Sequence, residues 1–207
     1  MKKLLILLFS IFFLSSPSVF ADDISDFEIE GMSIGDSLLD YMTEEEILEE
    51  IEKTKDDYNY LKEPNKYREV YLYKEFPTYD YISVFVKNTE SNRYISVKDE
   101  KFIIESIFGM NKYNEDFNSC ITKRNEIYDI LLVMFPNQEQ IKEIFDHPLE
   151  PSGNSFVDSV SFNFVSGDQV SIKCNDWEEN FRIDNNYFEG LNIEVLSDEV
   201  IHWMSNY

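Results

Sequence analysis

The sequence predicts an α+β fold: an antiparallel meander sheet with an N-terminal, a central and a C-terminal helix. Three observations carry this. Apolar residues recur at helical spacing over 43–61, 114–135 and 198–204, and they alternate with period two over 67–86, 102–108 and 156–174. The strands are separated by turns too short for the crossovers that parallel pairing needs.

Phe27 and Ile29 alternate with Glu28 and Glu30, a pattern for a small strand, and Leu38, Leu39 and Tyr41 suit a short helix over 33–42. Thr43 and Glu46 form a capping box that opens a clearer helix. Ile47, Leu48, Ile51, Tyr58 and Leu61 lie near one of its faces, and Pro64 is its expected stop. Val70 and Leu72 then alternate with Tyr71 and Tyr73, and Tyr81, Ser83 and Phe85 with Ile82, Val84 and Val86. Further strands are predicted near 94–97 and 102–108. Residues 114–135 return to helical period as the clearest amphipathic helix, with Phe117, Cys120, Ile121, Ile127, Tyr128, Leu131 and Phe135 as its stripe and Pro136 as its stop. The Pro- and Gly-bearing segment 146–155 reads as a loop. Residues 156–165 and 169–174 read as a hairpin about Ser166-Gly167-Asp168, 175–190 as a polar acidic loop, and 191–196 as a last strand. Asp198 is the expected cap of a terminal helix carrying Val200, Ile201, Trp203 and Met204.

Residues 1–21 read as a cleaved export signal. Lys2 and Lys3 precede an apolar run over 4–14 broken only by Ser10, and Val19 and Ala21 stand three and one residues before a cut after Ala21. A span needs about 20 apolar residues, so this run is too short to cross a bilayer. The expectation is a single domain over 22–207, periplasmic or secreted, with no stable membrane insertion after cleavage.

The 18 basic residues include Lys2 and Lys3, so the mature chain would carry 16 against 41 acidic ones, a formal charge of −25. Nucleic acid and anionic membranes need a basic patch and are disfavoured. An unknown ligand or an envelope protein is the expected partner; cations and basic proteins suit the charge, and solubility alone would also account for it. Ala21 is the only alanine, so Phe and Tyr, both abundant, must fill core volume that smaller residues fill elsewhere. An exported chain with Cys120 and Cys174 as its two cysteines is read as disulfide-bonded. Closing that loop restrains the unfolded chain by about 4 kcal/mol in the entropy model.

Gly35-Asp36-Ser37-Leu38 resembles the first block of the GDSL, or SGNH, ester hydrolases. The resemblance implies Ser37 as nucleophile and a C-terminal histidine, here His202, as its base. The family's Asp-x-x-His pair has Glu199 at the acidic position, and Gly109-Met110-Asn111 is followed by Lys112 where an aspartate is expected. That family also needs a parallel sheet entered by a buried apolar strand, whereas Glu28 to Ile34 precede this motif and a meander follows. Asp36 and Ser37 are therefore read as caps of a turn, and no catalytic residue is assigned. Asp176, Glu178, Glu179, Asp184 and Asn185 could offer oxygen ligands to calcium, yet their spacing fits no EF-hand. His147 and His202 stand apart from any second ligand, so neither a metal nor a cofactor is expected.

The run Asp26 to Ile47 (Asp-Phe-Glu-Ile-Glu-Gly-Met-Ser-Ile-Gly-Asp-Ser-Leu-Leu-Asp-Tyr-Met-Thr-Glu-Glu-Glu-Ile) resembles the opening of a group of uncharacterised exported bacterial proteins. Its Gly-Met-Ser with a following apolar helix is similar to small envelope proteins of the SmpA/OmlA type. Neither resemblance implies an activity. The function expected is that of an exported, non-enzymatic binding or envelope-associated protein, the alternative being an ester hydrolase using Ser37 and His202.

Overall fold

A computed structural model describes residues 23–58, 61, 66–87, 101–113 and 116–206. The export signal and the strand expected at 94–97 lie outside these residues.

Helix α1 (Glu44–Thr54) opens at the capping box: Thr43 Oγ1 accepts from the Glu46 amide at 3.3 Å, and the Glu46 carboxylate accepts from the Thr43 amide at 2.8 Å. It ends at Thr54, ten residues before Pro64. The Thr54 hydroxyl sits 2.7 Å from the Glu69 carbonyl, which ties the helix end to the sheet. Tyr58 and Leu61 thereby leave the helix face on which their spacing places them. Upstream, the small strand expected at Phe27 and Ile29 reduces to one bridge, Ile29 with Met32, around the positive φ of Glu30 and Gly31. The helix expected over 33–42 is a single 3₁₀ turn, Leu38–Asp40.

Seven strands follow: β1 (Tyr67–Leu72), β2 (Tyr81–Lys87), β3 (Ile104–Lys112), β4 (Glu139–Asp146), β5 (Phe156–Asn163), β6 (Gln169–Asp176) and β7 (Gly190–Leu196). Among the described residues they form one sheet in the order β1-β2-β3-β7-β6-β5-β4, with every neighbouring pair antiparallel. The fold is thus the α+β antiparallel meander that the period-two segments predict. Helix α2 (Phe117–Met134) carries the chain from β3 in the middle of the sheet to the far edge at β4.

Strand β4 has no counterpart in the sequence reading. Only its partner β5 covers it, and its residues are exposed on both faces except for partly buried Gln140, so Ile141, Ile144 and Phe145 show no alternation. Helix α3 (Glu179–Asp184) interrupts the segment read as loop; the Glu178 side chain accepts from the Phe181 amide at 2.7 Å and holds its first turn. Helix α4 (Asp198–Met204) is capped by Ser197, not by Asp198, whose amide donates instead to Asp168 Oδ1 at 2.8 Å.

The first face of the sheet carries the main core. Val70, Ile82, Val84, Ile107, Ile193, Val195, Val170, Ile172 and Phe162 point to this side and pack beneath α1 and α2. Helix α2 buries Cys120, Leu131 and the flanking Phe135 as its stripe predicts, but it exposes Ile130 and Val133, so α1 is the more sharply two-faced helix. Cys120 and Cys174 are disulfide-bonded with Cα atoms 6.0 Å apart, which staples α2 to β6. Arg124 pairs with Asp158 of β5, and the Tyr128 hydroxyl meets Gln140 of β4 at 2.8 Å.

Only part of the second face is covered. Helix α4 lies over its β1–β2 end, where Trp203 meets Tyr67 edge-on at 4.9 Å and Phe85 at 5.8 Å, and Leu61 joins this smaller cluster. By Leu61 the chain has therefore reached the face opposite to α1.

Candidate functional site

Antiparallel register sorts the second-face side chains into rows across the strands. One row runs Tyr71, Ser83, Phe108, Glu194, Ser171 from β1 to β6; the next runs Tyr81, Met110, Asn192, Lys173. These two rows floor a cleft of about 400 Å³, within the range typical of small-molecule sites. Tyr58 lines the β1 end beside Glu69 and Tyr71, Phe145, His147, Pro148 and Leu149 line the far end near Lys173, and Met204 of α4 completes the lining.

The acidic end is built on β1. Glu69 is only 5% exposed, and the Ser83 and Tyr71 hydroxyls bond to its carboxyl. Its Oε2 is buried with no hydrogen-bond partner among the described residues. Burial pushes the Glu69 carboxyl up to about 7, because a low-dielectric site disfavours the charged form. The Tyr71 and Tyr81 hydroxyls are pushed up as well, again chiefly by burial. Tyr71 and Tyr81 approach with ring centroids 6.3 Å apart, and Tyr81 meets Phe188 edge-on at 5.5 Å, which gives this end an aromatic lining.

The opposite end is electrically closed. Lys173 Nζ lies 2.6 Å from Glu194 Oε2, and Ser171 Oγ donates to the same oxygen at 3.2 Å. Between the two ends, Asn192 Oδ1 is buried without a partner among the described residues.

The wall formed by 147–149 belongs to a well-tied loop. The Glu150 carboxylate accepts from the amides of Ser152 at 2.7 Å, Asn154 at 2.9 Å and Ser155 at 3.1 Å; these bonds, the Ser152 amide foremost, hold its pKa down to about 2. His147 packs against Trp177 with ring centroids 3.8 Å apart and ring planes tilted by 38°. Burial first, and then the nearby Lys173 charge, lowers its pKa to about 4, so the imidazole is neutral at physiological pH.

The other residues weighed in the sequence fall elsewhere. Ser37 is 5% exposed, and its Oγ donates to the Lys101 carbonyl at 2.8 Å beside the bridge from Ser37 to Ile103. It precedes the 3₁₀ turn as an N-cap position, without a side-chain capping bond. The side chain of His202, 75% exposed on α4, has Nε2 3.2 Å from Asp198 Oδ1. Each member of the expected pair thus has a different neighbour, and the sheet is antiparallel where the hydrolase resemblance implies a parallel one. In the acidic 175–190 segment, Glu178 caps α3 and Glu179 pairs with Arg182 at 3.0 Å. Among the described residues, no three metal-ligating side chains converge.

Glu69, Tyr71, Tyr81, Lys173, Asn192 and Glu194 are not singled out by any sequence motif. A signal is present all the same: each is out of phase with the apolar alternation of its strand, so each has to face away from the main core. Comparisons with family models, with curated proteins and with solved structures find no match to this chain.

Proposed function

We propose that the protein is an exported, non-enzymatic binding module that takes a small ligand in the second-face cleft. The observation that carries this reading is the pairing of an aromatic cleft of about 400 Å³ with a buried carboxyl oxygen that has no partner among the described residues. A buried polar group is normally satisfied, so a ligand that supplies the missing contact would gain a hydrogen bond in a site already desolvated. The disulfide and the tied 146–155 loop suit such a role, because a preformed wall lowers the ordering cost of binding.

The export signal read over 1–21 and the disulfide support a location outside the cytoplasm; no helix among the described residues is long and apolar enough to cross a membrane. Intact mass of the secreted protein should begin at Asp22.

A fluorescence titration with N-phenyl-1-naphthylamine, followed by amide chemical-shift mapping, tests the cleft. Bound dye should shift amides of β1–β3, β6 and β7 around Ser83, Met110 and Asn192. Shifts absent from that face, or confined to the first face under α1 and α2, would overturn the reading.

A further inference from the structure

We infer that the ligand class of this cleft is an organic ammonium: a primary amine carried on an apolar or aromatic body, its nitrogen at Glu69 and its body over Phe108 and Met110. This rests on the cleft being the binding site. Four features of the molecule lead to it.

First, the unsatisfied atoms in the cleft are acceptors. Glu69 Oε2 and Asn192 Oδ1 are both buried without partners among the described residues, and both call for a ligand with N–H or O–H donors. An ammonium carries three donors and no acceptor. Second, the acidic end is aromatic. Tyr71 and Tyr81 stand beside Glu69, and ring faces attract a desolvated cation.

Third, the local charge has the right sign and place: the groups that face Glu69 are the acidic Asp57, which raises the pKa of its carboxyl further after burial, and the hydroxyls of Tyr58, Tyr71, Tyr81 and Ser83. Lys173, the lysine of the cleft lining, is held by Glu194, four strands away from β1 in the sheet order, a separation of roughly 19 Å. His147 at the same far end is neutral near pH 7. Nothing positive among the lining residues therefore opposes a cation at Glu69, and the acidic excess of the whole chain draws cations toward the surface.

Fourth, the lining selects an organic cation over a metal ion. A hard cation takes six or more oxygen ligands, whereas Glu69 is the one carboxylate at its end of the cleft lining, and no metal-ligating trio forms among the described residues. Phe108, Met110 and Tyr81 instead offer apolar surface to a hydrocarbon body.

Binding is linked to protons. A charged amine binds the ionised carboxylate, so the Glu69 proton must leave as the ligand enters, and affinity rises with pH until the carboxyl is fully ionised. Calorimetric titration of the wild-type protein with 2-phenylethylamine and with its uncharged counterpart 2-phenylethanol tests this directly. At about pH 8 the amine should bind about tenfold more tightly than the alcohol or better. The amine's affinity should fall roughly tenfold or more toward about pH 5.5, although an alkylammonium stays charged at both values. Glu69→Gln should remove both the preference and the pH dependence.

If the alcohol binds as well as the amine while shift mapping still places both in the cleft, the ammonium inference fails and the binding-module reading stands. If the amine binds equally well to the Glu69→Gln protein, the inference fails in the same way. If neither probe nor the naphthylamine dye perturbs the cleft, both fail together. The comparison of amine with alcohol uses the wild-type chain alone, so it decides the matter even if the variant does not fold.

Discussion

Replacing Glu69 by glutamine keeps the shape of the side chain and removes its titration, so it isolates what an ionised carboxyl does in this cleft. In the folded protein the Glu69 pKa is raised from 4.5 to about 7 by burial. A raised folded-state pKa means that the neutral form is favoured by folding. The corresponding stability is fully present below about pH 4.5 and is lost as pH rises through about 7. Every tenfold gain in proton affinity on folding corresponds to about 1.4 kcal/mol, which makes the loss about 3 kcal/mol by about pH 8. Glutamine cannot ionise, and its side-chain oxygen can still accept from Ser83 or Tyr71. The Glu69→Gln protein should therefore match the wild type near pH 4.5 and exceed it by up to about 3 kcal/mol near pH 8. For a domain of this size that is roughly 6–12 °C in Tm. Thermal unfolding of both proteins at half-unit steps between these pH values measures the difference directly. A difference that stays flat across the range, or a variant less stable than wild type at the alkaline end, would refute the account of Glu69 as a carboxyl whose ionisation folding opposes.

Two further substitutions probe the frame that holds the cleft. Mutating Cys120 and Cys174 together to serine, at a sequence separation of 54, should lower stability by about 4 kcal/mol in the entropy model. Urea unfolding of oxidised wild type and the double variant reads this, and equal midpoints would show that α2 is held to β6 without the covalent bond. Gly109→Ala would bring a Cβ to 2.7 Å from the Tyr79 ring on the main-core side of β3, an overpacking that costs about 1–3 kcal/mol. An unchanged Tm would mean that Tyr79 swings away freely, in which case Tyr79→Ala should rescue nothing.

Much of the fold is legible because its signals are local. The Thr43–Glu46 box, the alternation of Ile82, Val84 and Val86, and the Ser166-Gly167-Asp168 turn each act within a few residues, and each forms as read. Strand β4 is not legible, since an edge strand draws its order from the backbone of β5 and needs no buried side-chain pattern. The end of α1 falls earlier than its spacing suggests for a related reason. Tyr58 and Leu61 continue the helical spacing, but Leu61 is buried with Trp203 on the far side of the sheet, so their apolar character serves another core.

By itself, the sequence determined the α+β class, the antiparallel pairing, the positions of the main helices and the identity of the two cysteines that join. These follow from period, turn chemistry and composition. The cleft was decided only by tertiary structure. Glu69 and Lys173 are more than a hundred residues apart in the chain and share a surface because β7 inserts between β3 and β6, an order that no local pattern encodes. The same holds for Ser37 and His202, which the hydrolase resemblance implies as a pair, while each has a different neighbour in the fold. Side-chain chemistry is written residue by residue, but which side chains meet depends on strand order, and strand order minimises the free energy of the whole core rather than of any segment within it.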